Sequence, residues 1–193
     1  MAIKERIKEF KKELVLQKVS QYLETHGFAK AKMADVAAFC GISVGALYKL
    51  FGSKEEMFYE YVDYQIALFE HELSKRLQSL HDPKERIKAI ITLKFETFKQ
   101  KKAILKDTVA GDPLFFAKLS ANRPNNLQKL YDTIAREFEA LRAITPLRIA
   151  DTKRIAYVFN ALTYGYVEYW LTQDVDLESF IDEAYEILLK GIT

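Results

Sequence analysis

One cysteine, four prolines and seven glycines in 193 residues leave little room for several fold classes. A lone thiol, Cys40, forms no internal disulfide, and its apolar neighbours assign it to a core as a small buried residue. So few turn formers argue against an all-β chain punctuated by tight turns. The three histidines, His26, His71 and His81, are scattered, so no metal-ligand spacing is present. No phosphate-cradling glycine loop and no nucleophile elbow occur either. No catalytic residue, metal site or cofactor is therefore assigned, and an enzyme is not expected. The opening stretch, MAIKERIKEFKKEL, is charged at short intervals and lacks the apolar run of a signal peptide. The uncharged stretch from Ile155 to Val167 is too short to span a bilayer and contains Asn160 and Thr163, which suits a buried helix. A cytoplasmic protein with no membrane partner is the expectation.

What the chain does have is 49% hydrophobic and 29% charged residues, the composition of a globular protein. Its small net charge of +2 hides an asymmetry. Residues 1–54 hold ten Lys or Arg against five Asp or Glu, and the rest of the chain is net negative. The basic quarter has the sign a polyanion partner needs, although a solvated helix face has it too.

Helical spacing runs through the whole chain. Ile7, Phe10, Leu14, Val15, Val19, Tyr22 and Leu23 mark a long first helix that Gly27 terminates. Two short helices follow, Met33 to Cys40 and one beginning after Ser43, with Gly41 between them. Ser53 and Glu56 form a capping box that opens a helix running to about Leu80. Asp82 and Pro83 open the next, to about Lys106. Breaks at Asp112 and Pro113, near Pro124, near Asp151 and across TQDVDLES delimit the remainder. About nine helices and no alternating strand make an all-α fold.

Helix, glycine turn, helix at about residues 32–51 is the pattern of a helix-turn-helix, whose second helix enters a DNA major groove. Ala37 and Gly41 allow the helices to cross closely. Val36, Cys40, Ile42, Leu47, Leu50 and Phe51 fill a small core, which leaves Ser43, Val44, Gly45, Tyr48 and Lys49 facing outward. Gly45 is costly inside a helix, by roughly 1 kcal/mol relative to alanine. Deep seating of the helix against the sugar-phosphate wall would explain it, and so would close packing against another helix. In the first case Val44 meets a thymine methyl, Tyr48 and Lys49 meet phosphates, and Lys54 at the next helix start adds a second phosphate anchor.

The stretch GFAKAKMADVAAFCGISVGALYKLFGSKEEMF, residues 27–58, resembles the N-terminal domain of the tetracycline-repressor (TetR) family of transcriptional regulators. The glycine-phenylalanine pair, the Asp-Val-Ala start, GIS, GALYKLF and SKE stand in family order. The resemblance implies a three-helix DNA-binding domain over residues 1–54 and a larger helical domain over 55–193 that binds a small molecule and dimerises. It implies DNA contacts at Ser43, Val44, Gly45, Tyr48, Lys49 and Lys54. It also implies a homodimeric repressor that leaves a pseudo-palindromic operator when ligand binds. Three features depart from the pattern. Lys32 and Met33 replace hydroxyl residues that commonly cap the second helix, with Lys32 an electrostatic substitute; Ala34 replaces a frequent basic reader; Phe39 takes a position usually small or polar.

Aromatic residues crowd the second part of the chain, where an apolar cavity with a few polar anchors would hold a small, largely apolar effector. Phe95, Phe98, Phe116, Tyr131, Phe138, Asn160 and Tyr164 are the candidate lining, although an aromatic at helical spacing is more often core than pocket. Asn160, Tyr164 and Glu168 share one helix stripe, facing either a cavity or solvent. The helix they share is apolar around more than half its girth, which implies a second partner. Phe159, Leu162, Gly165, Tyr166 and Trp170, with Ile181, Tyr185 and Leu188 of the last helix, form the expected two-fold interface. Ligand binding is expected to move the helix that starts at Ser53 and so the distance between the two reading heads. The competing reading is a helical ligand-binding or adaptor protein that has lost operator binding, which the missing reader at position 34 favours.

Overall fold

Local signals in the chain place the helices. The computed structural model describes residues 3–106 and 124–193, and the expected breaks at Asp112 and Pro113 and the candidate Phe116 lie outside them. Among the described residues the elements are α1 (Ile3–His26), α2 (Met33–Cys40), α3 (Val44–Phe51), α4 (Lys54–Gln78), α5 (Pro83–Gln100), α6 (Lys102–Leu105), α7 (Pro124–Arg142), α8 (Thr152–Thr172), a 3-10 turn (Leu177–Phe180) and α9 (Ile181–Ile192). No strand occurs among them.

The caps are where polar side chains predict them. Ser43 accepts from the Ala46 amide at 3.2 Å and Ser53 from the Glu56 amide at 3.0 Å. The Ser53 amide donates to the Phe51 carbonyl at 3.0 Å, where a full capping box would bond it to the Glu56 carboxylate. Asp82 takes the Lys84 amide at 2.9 Å, and Asp151 takes those of Lys153 and Arg154 at 3.0 and 3.2 Å. Each satisfies amides that a helix start leaves without a partner. Gly27, at φ 75°, ends α1.

Periodicity misplaces one boundary. The helix expected to run from Pro83 to Lys106 stops at Gln100, and Lys101 leaves the helical region before the short α6. Beyond the break, the Lys101 ammonium donates to Glu24 of α1 at 2.7 Å and Ile104 is buried. Two local gains outweigh continuity of the helix.

The described residues divide into two compact units, 3–65 with 101–106 and 66–100 with 124–193. In the first, α1 packs on α2 and α6, and α2 on α3. Its core holds Val19, Leu23, Phe28, Val36, Ala37, Cys40, Leu47, Phe51, Met57, Phe58 and Tyr61. Phe28 stacks on Phe58 with ring centres 4.2 Å apart, so the first turns of α4 complete this unit, which therefore reaches beyond residue 54. Burial pushes the Cys40 thiol up from its ordinary range, as for a core residue. The start of α1 contributes nothing to that core: Ile7, Phe10 and Leu14, on the expected apolar face, are exposed.

In the second unit α5 packs against α7, α8, α9 and the 3-10 turn. Ile87, Ile90, Ile91, Leu93 and Phe95 of α5 are buried with Phe138, Ile155, Phe159, Trp170 and Leu188. Arg86 joins three elements here. Its guanidinium meets the Glu137 carboxylate in a two-pronged bond, 2.6 and 2.8 Å, and donates to the Leu77 and Leu80 carbonyls at the end of α4, 2.6 and 3.0 Å. The last carbonyls of a helix are thus capped from another helix.

Candidate functional site

The turn between α2 and α3 is built by one glycine. Gly41 adopts φ 72°, ψ 31°, and this left-handed residue lets the Ile42 amide reach back to the Ala37 carbonyl at 3.0 Å and its own amide to Ala38 at 3.1 Å. That pair of bonds is a Schellman close, which needs a residue without a Cβ penalty. α3 then leaves at 101° to α2, within the range of a helix-turn-helix. Ala37 and Leu47 are fully buried where the two helices meet. Ile42 and Leu50, expected in this core, are half-buried at its edge.

The opposite face of α3 is open. Ser43, Val44, Gly45, Tyr48 and Lys49 are all exposed, with Val44 at 40% and Tyr48 at 47% despite their apolar surface. A Cβ added at Gly45 meets no atom of the protein within 4 Å. Among the described residues nothing packs against this position, so helix packing within them does not account for the glycine. Lys32, at the N-terminus of α2, is exposed and makes no capping bond, and neither it nor Lys49 has an ion-pair partner among the described residues. Ala34 is exposed, and Phe39 covers the Tyr22 ring edge-on at 5.5 Å, which gives that departure a structural reason. Lys54 is partly committed: its ammonium donates to the Ala29 carbonyl at 3.2 Å and lies 4.5 Å from the Phe28 ring centre.

A second cluster sits between α5 and α8. Lys94 is 8% exposed, and its ammonium donates to Asn160 Oδ1 at 2.7 Å and Thr163 Oγ1 at 2.6 Å. The rings of Phe159 and Phe98 stand 5.4 and 5.7 Å away. No carboxylate pairs with it among the described residues, and burial alone lowers its pKa from the usual lysine value to about 7.

Residues 20–61, from the second half of α1 through the first turns of α4, match the model of bacterial regulatory proteins, tetR family. The similarity to the tetR family is thus carried by the region that forms the helix-turn-helix. Two relatives match about half of the chain. The HTH-type transcriptional regulator YerO of Bacillus subtilis is 32% identical over 94 residues, 48% of this chain and 32% of that protein. The nucleoid occlusion factor SlmA of Serratia proteamaculans is 39% identical over 98 residues, 48% of each. The matched region thus spans less than half the length of either relative. Over nearly the full chain the fold is similar to that of FadR from Bacillus subtilis in complex with stearoyl-CoA, with a TM-score of 0.76 at 14% identity, covering 94% of this chain and 99% of that one.

Of the lining expected in the second unit, Phe95, Tyr131 and Phe138 are buried: Tyr131 stacks on Tyr157 at 4.1 Å and Phe138 meets Phe159 edge-on at 6.0 Å. Phe98, Asn160 and Tyr164 are half-buried, and the first two surround Lys94. Lys94 itself is the residue that sequence reasoning missed. The signal was available, because Ile87, Ile91, Lys94 and Phe98 lie on one stripe of α5 and three of the four are apolar.

Three expected interface residues need correction. Phe159, Trp170 and Leu188 are buried in the unit's own core and are not free to meet a partner. Leu162, Tyr166, Ile181 and Tyr185 are half-buried and Gly165 is exposed, with space around it. The exposed apolar residues of the same helices are Tyr157, Val158, Tyr169 and Ile187. A groove of about 450 Å³ lined by Leu162, Gly165, Tyr166, Tyr169, Phe180 and Glu183 runs along this face. Tyr166 donates to Glu183 across it at 2.7 Å.

Proposed function

We propose that this protein is an effector-responsive transcriptional regulator of the tetR family that binds operator DNA as a homodimer and most simply acts as a repressor. One observation carries the reading: a glycine in the first turn of α3, on its open face, that no contact among the described residues explains. Groove insertion explains it, since a side chain there would meet the sugar-phosphate wall. Val44 then faces base edges while Ser43, Tyr48, Lys49 and Lys32 meet phosphates. Lys54 contributes through the donors that Ala29 leaves spare.

A single eight-residue reading helix is a weak binder, so two copies with heads about 34 to 36 Å apart are needed to span adjacent major-groove turns. The exposed apolar residues of α8 and α9 supply a surface for that pairing. Effector control follows if the ligand binds the two head separations unequally, with α4 as the continuous link out of the reading head. The likeness to a FadR holding stearoyl-CoA favours an effector with an acyl chain.

The test is DNA selected by the protein from a random duplex pool, titrated by fluorescence anisotropy across about 50 to 200 mM salt. Affinity that falls steeply with salt, and a pseudo-palindromic selected site, are the expected results. Absent or salt-independent binding would favour the adaptor reading, which the exposed Ala34 supports.

A further inference from the structure

Four basic side chains line α5 from Arg86 to Lys99, and three of them have a carboxylate. Arg86 is held by Glu137, Lys88 by Asp182 and Lys99 by Asp176 and Glu178. Lys94 is the most buried of the four and has neutral partners only. Of the carboxylates on α5 and the elements packed against it, Glu137 on α7, Asp182 on α9, Asp176 and Glu178 at the 3-10 turn and Glu96 of α5 bond other cations, the last with Arg76 at 2.7 Å; Asp132 and Glu139 of α7, Glu168 of α8 and Glu183 and Glu186 of α9 make no bond to Lys94.

An ammonium has three hydrogens to donate. Two go to Asn160 and Thr163, and the third has no acceptor among the described residues. Thr163 Oγ1 is itself anchored to the Phe159 carbonyl at 2.8 Å, so the cluster is fixed. A bridge between α5 and α8 needs no charge, since a glutamine or an apolar side chain would serve. Keeping a cation in an apolar site without an anion is costly, and an anion from outside the chain removes that cost. Phe98, Asn160 and Tyr164, on the same side of the cluster, are half-buried.

We propose that Lys94, oriented by Asn160 and Thr163, is the anion anchor of the effector site in the second unit, and that the effector joins an anionic oxygen group to an apolar chain. The aromatic rings of Phe98 and Phe159 flank the point where head and chain meet. The inference rests on the reading of this unit as the effector-binding part, and it specifies what the effector must carry. The anionic group is a carboxylate, as in a free fatty acid, or a phosphate, as in an acyl-coenzyme A.

Isothermal titration of the full chain, without DNA, separates these cases. Laurate and lauroyl-CoA are titrated at pH 8 in Tricine and in Tris, whose different protonation enthalpies report proton uptake. The buried amine is mostly neutral at that pH, so seating an anion beside it draws in close to one proton per protomer. Lys94→Met and Lys94→Gln are expected to bind at least about tenfold more weakly and to take up no proton. Dodecanol, neutral with the same chain, should show no dependence on Lys94. Proton-linked laurate binding identifies a carboxylate; proton-linked binding of lauroyl-CoA alone identifies a phosphate. The proposal is overturned if neither probe binds, if wild-type protein takes up no proton, or if both variants bind as wild type. The wild-type buffer comparison decides the matter even if a variant fails to fold. Because no DNA is present, failure here leaves the salt-dependent operator test untouched.

Discussion

The two units each keep one residue that the free protein would be better without, and they keep it in opposite environments. In the first, Gly45 sits on the exposed face of the first turn of α3, where alanine would hold the backbone better and where nothing among the described residues crowds it. In the second, Lys94 sits in the apolar interior, where a methionine would pack without desolvating a charge. One is a side chain missing from the surface and the other a charge added to the core. A cost that no contact within the chain offsets points to a partner outside it. The glycine leaves room for a wall to approach, while the lysine supplies a charge for something to neutralise.

The comparison breaks if these residues prove to be ordinary. The sharpest contrast lies within α5. Arg86→Met should destabilise the protein by about 3 kcal/mol in urea unfolding, because it strands Glu137 and uncaps the end of α4. Lys94→Met, two turns along the same helix, should do the reverse and stabilise it by about 1 to 2 kcal/mol at pH 7. Two variants of like chemistry thus shift the midpoint in opposite directions, and destabilisation by both would remove the case that Lys94 is kept for a ligand.

Titration sharpens the same point. Lys94 binds its proton with a pKa of about 7 when folded and near the ordinary lysine value when unfolded, so above pH 7 the unfolded chain holds more protons. Its penalty is full below pH 7 and is relieved as pH rises. Wild-type stability should therefore climb relative to Lys94→Met by about 1 kcal/mol per pH unit between pH 7 and 9. Parallel curves for the two proteins would show that the amine is not desolvated.

Smaller effects are expected on α3. Gly45→Ala should raise the thermal stability of the free protein by about 1 kcal/mol, since the new methyl meets nothing. The same change should weaken operator binding in anisotropy titrations, and Gly45→Leu should weaken it further. Unchanged DNA affinity in both variants would leave the glycine without a function. Ser43→Ala, which deletes the α3 cap, should cost about 1 kcal/mol of stability.

How far these features were legible depends on how local they are. Asp82, Ser43, Ser53 and Asp151 cap helices through bonds to amides two or three residues away, so the sequence carries the whole interaction. The outward set of α3 was legible for the same reason, because eight residues at helical spacing have only one way to bury Leu47 and Phe51. α8 shows the limit. Its apolar girth indicates two partners, but which residues meet the protomer's own core was decided by α5, α7 and α9, and that choice put Phe159 and Trp170 inside and left Val158 and Tyr169 outside. At the start of α1 periodicity indicated a packed face, and Ile7, Phe10 and Leu14 have none.

By itself the sequence determined an all-helical chain, the places where most helices start, and a reading head with an unexplained glycine, because caps, turns and periodicity act within a few residues. Only the tertiary structure decided that the glycine faces open space and that Lys94 is bonded to no carboxylate among the described residues. Both facts depend on what residues far along the chain bring near, or fail to bring near.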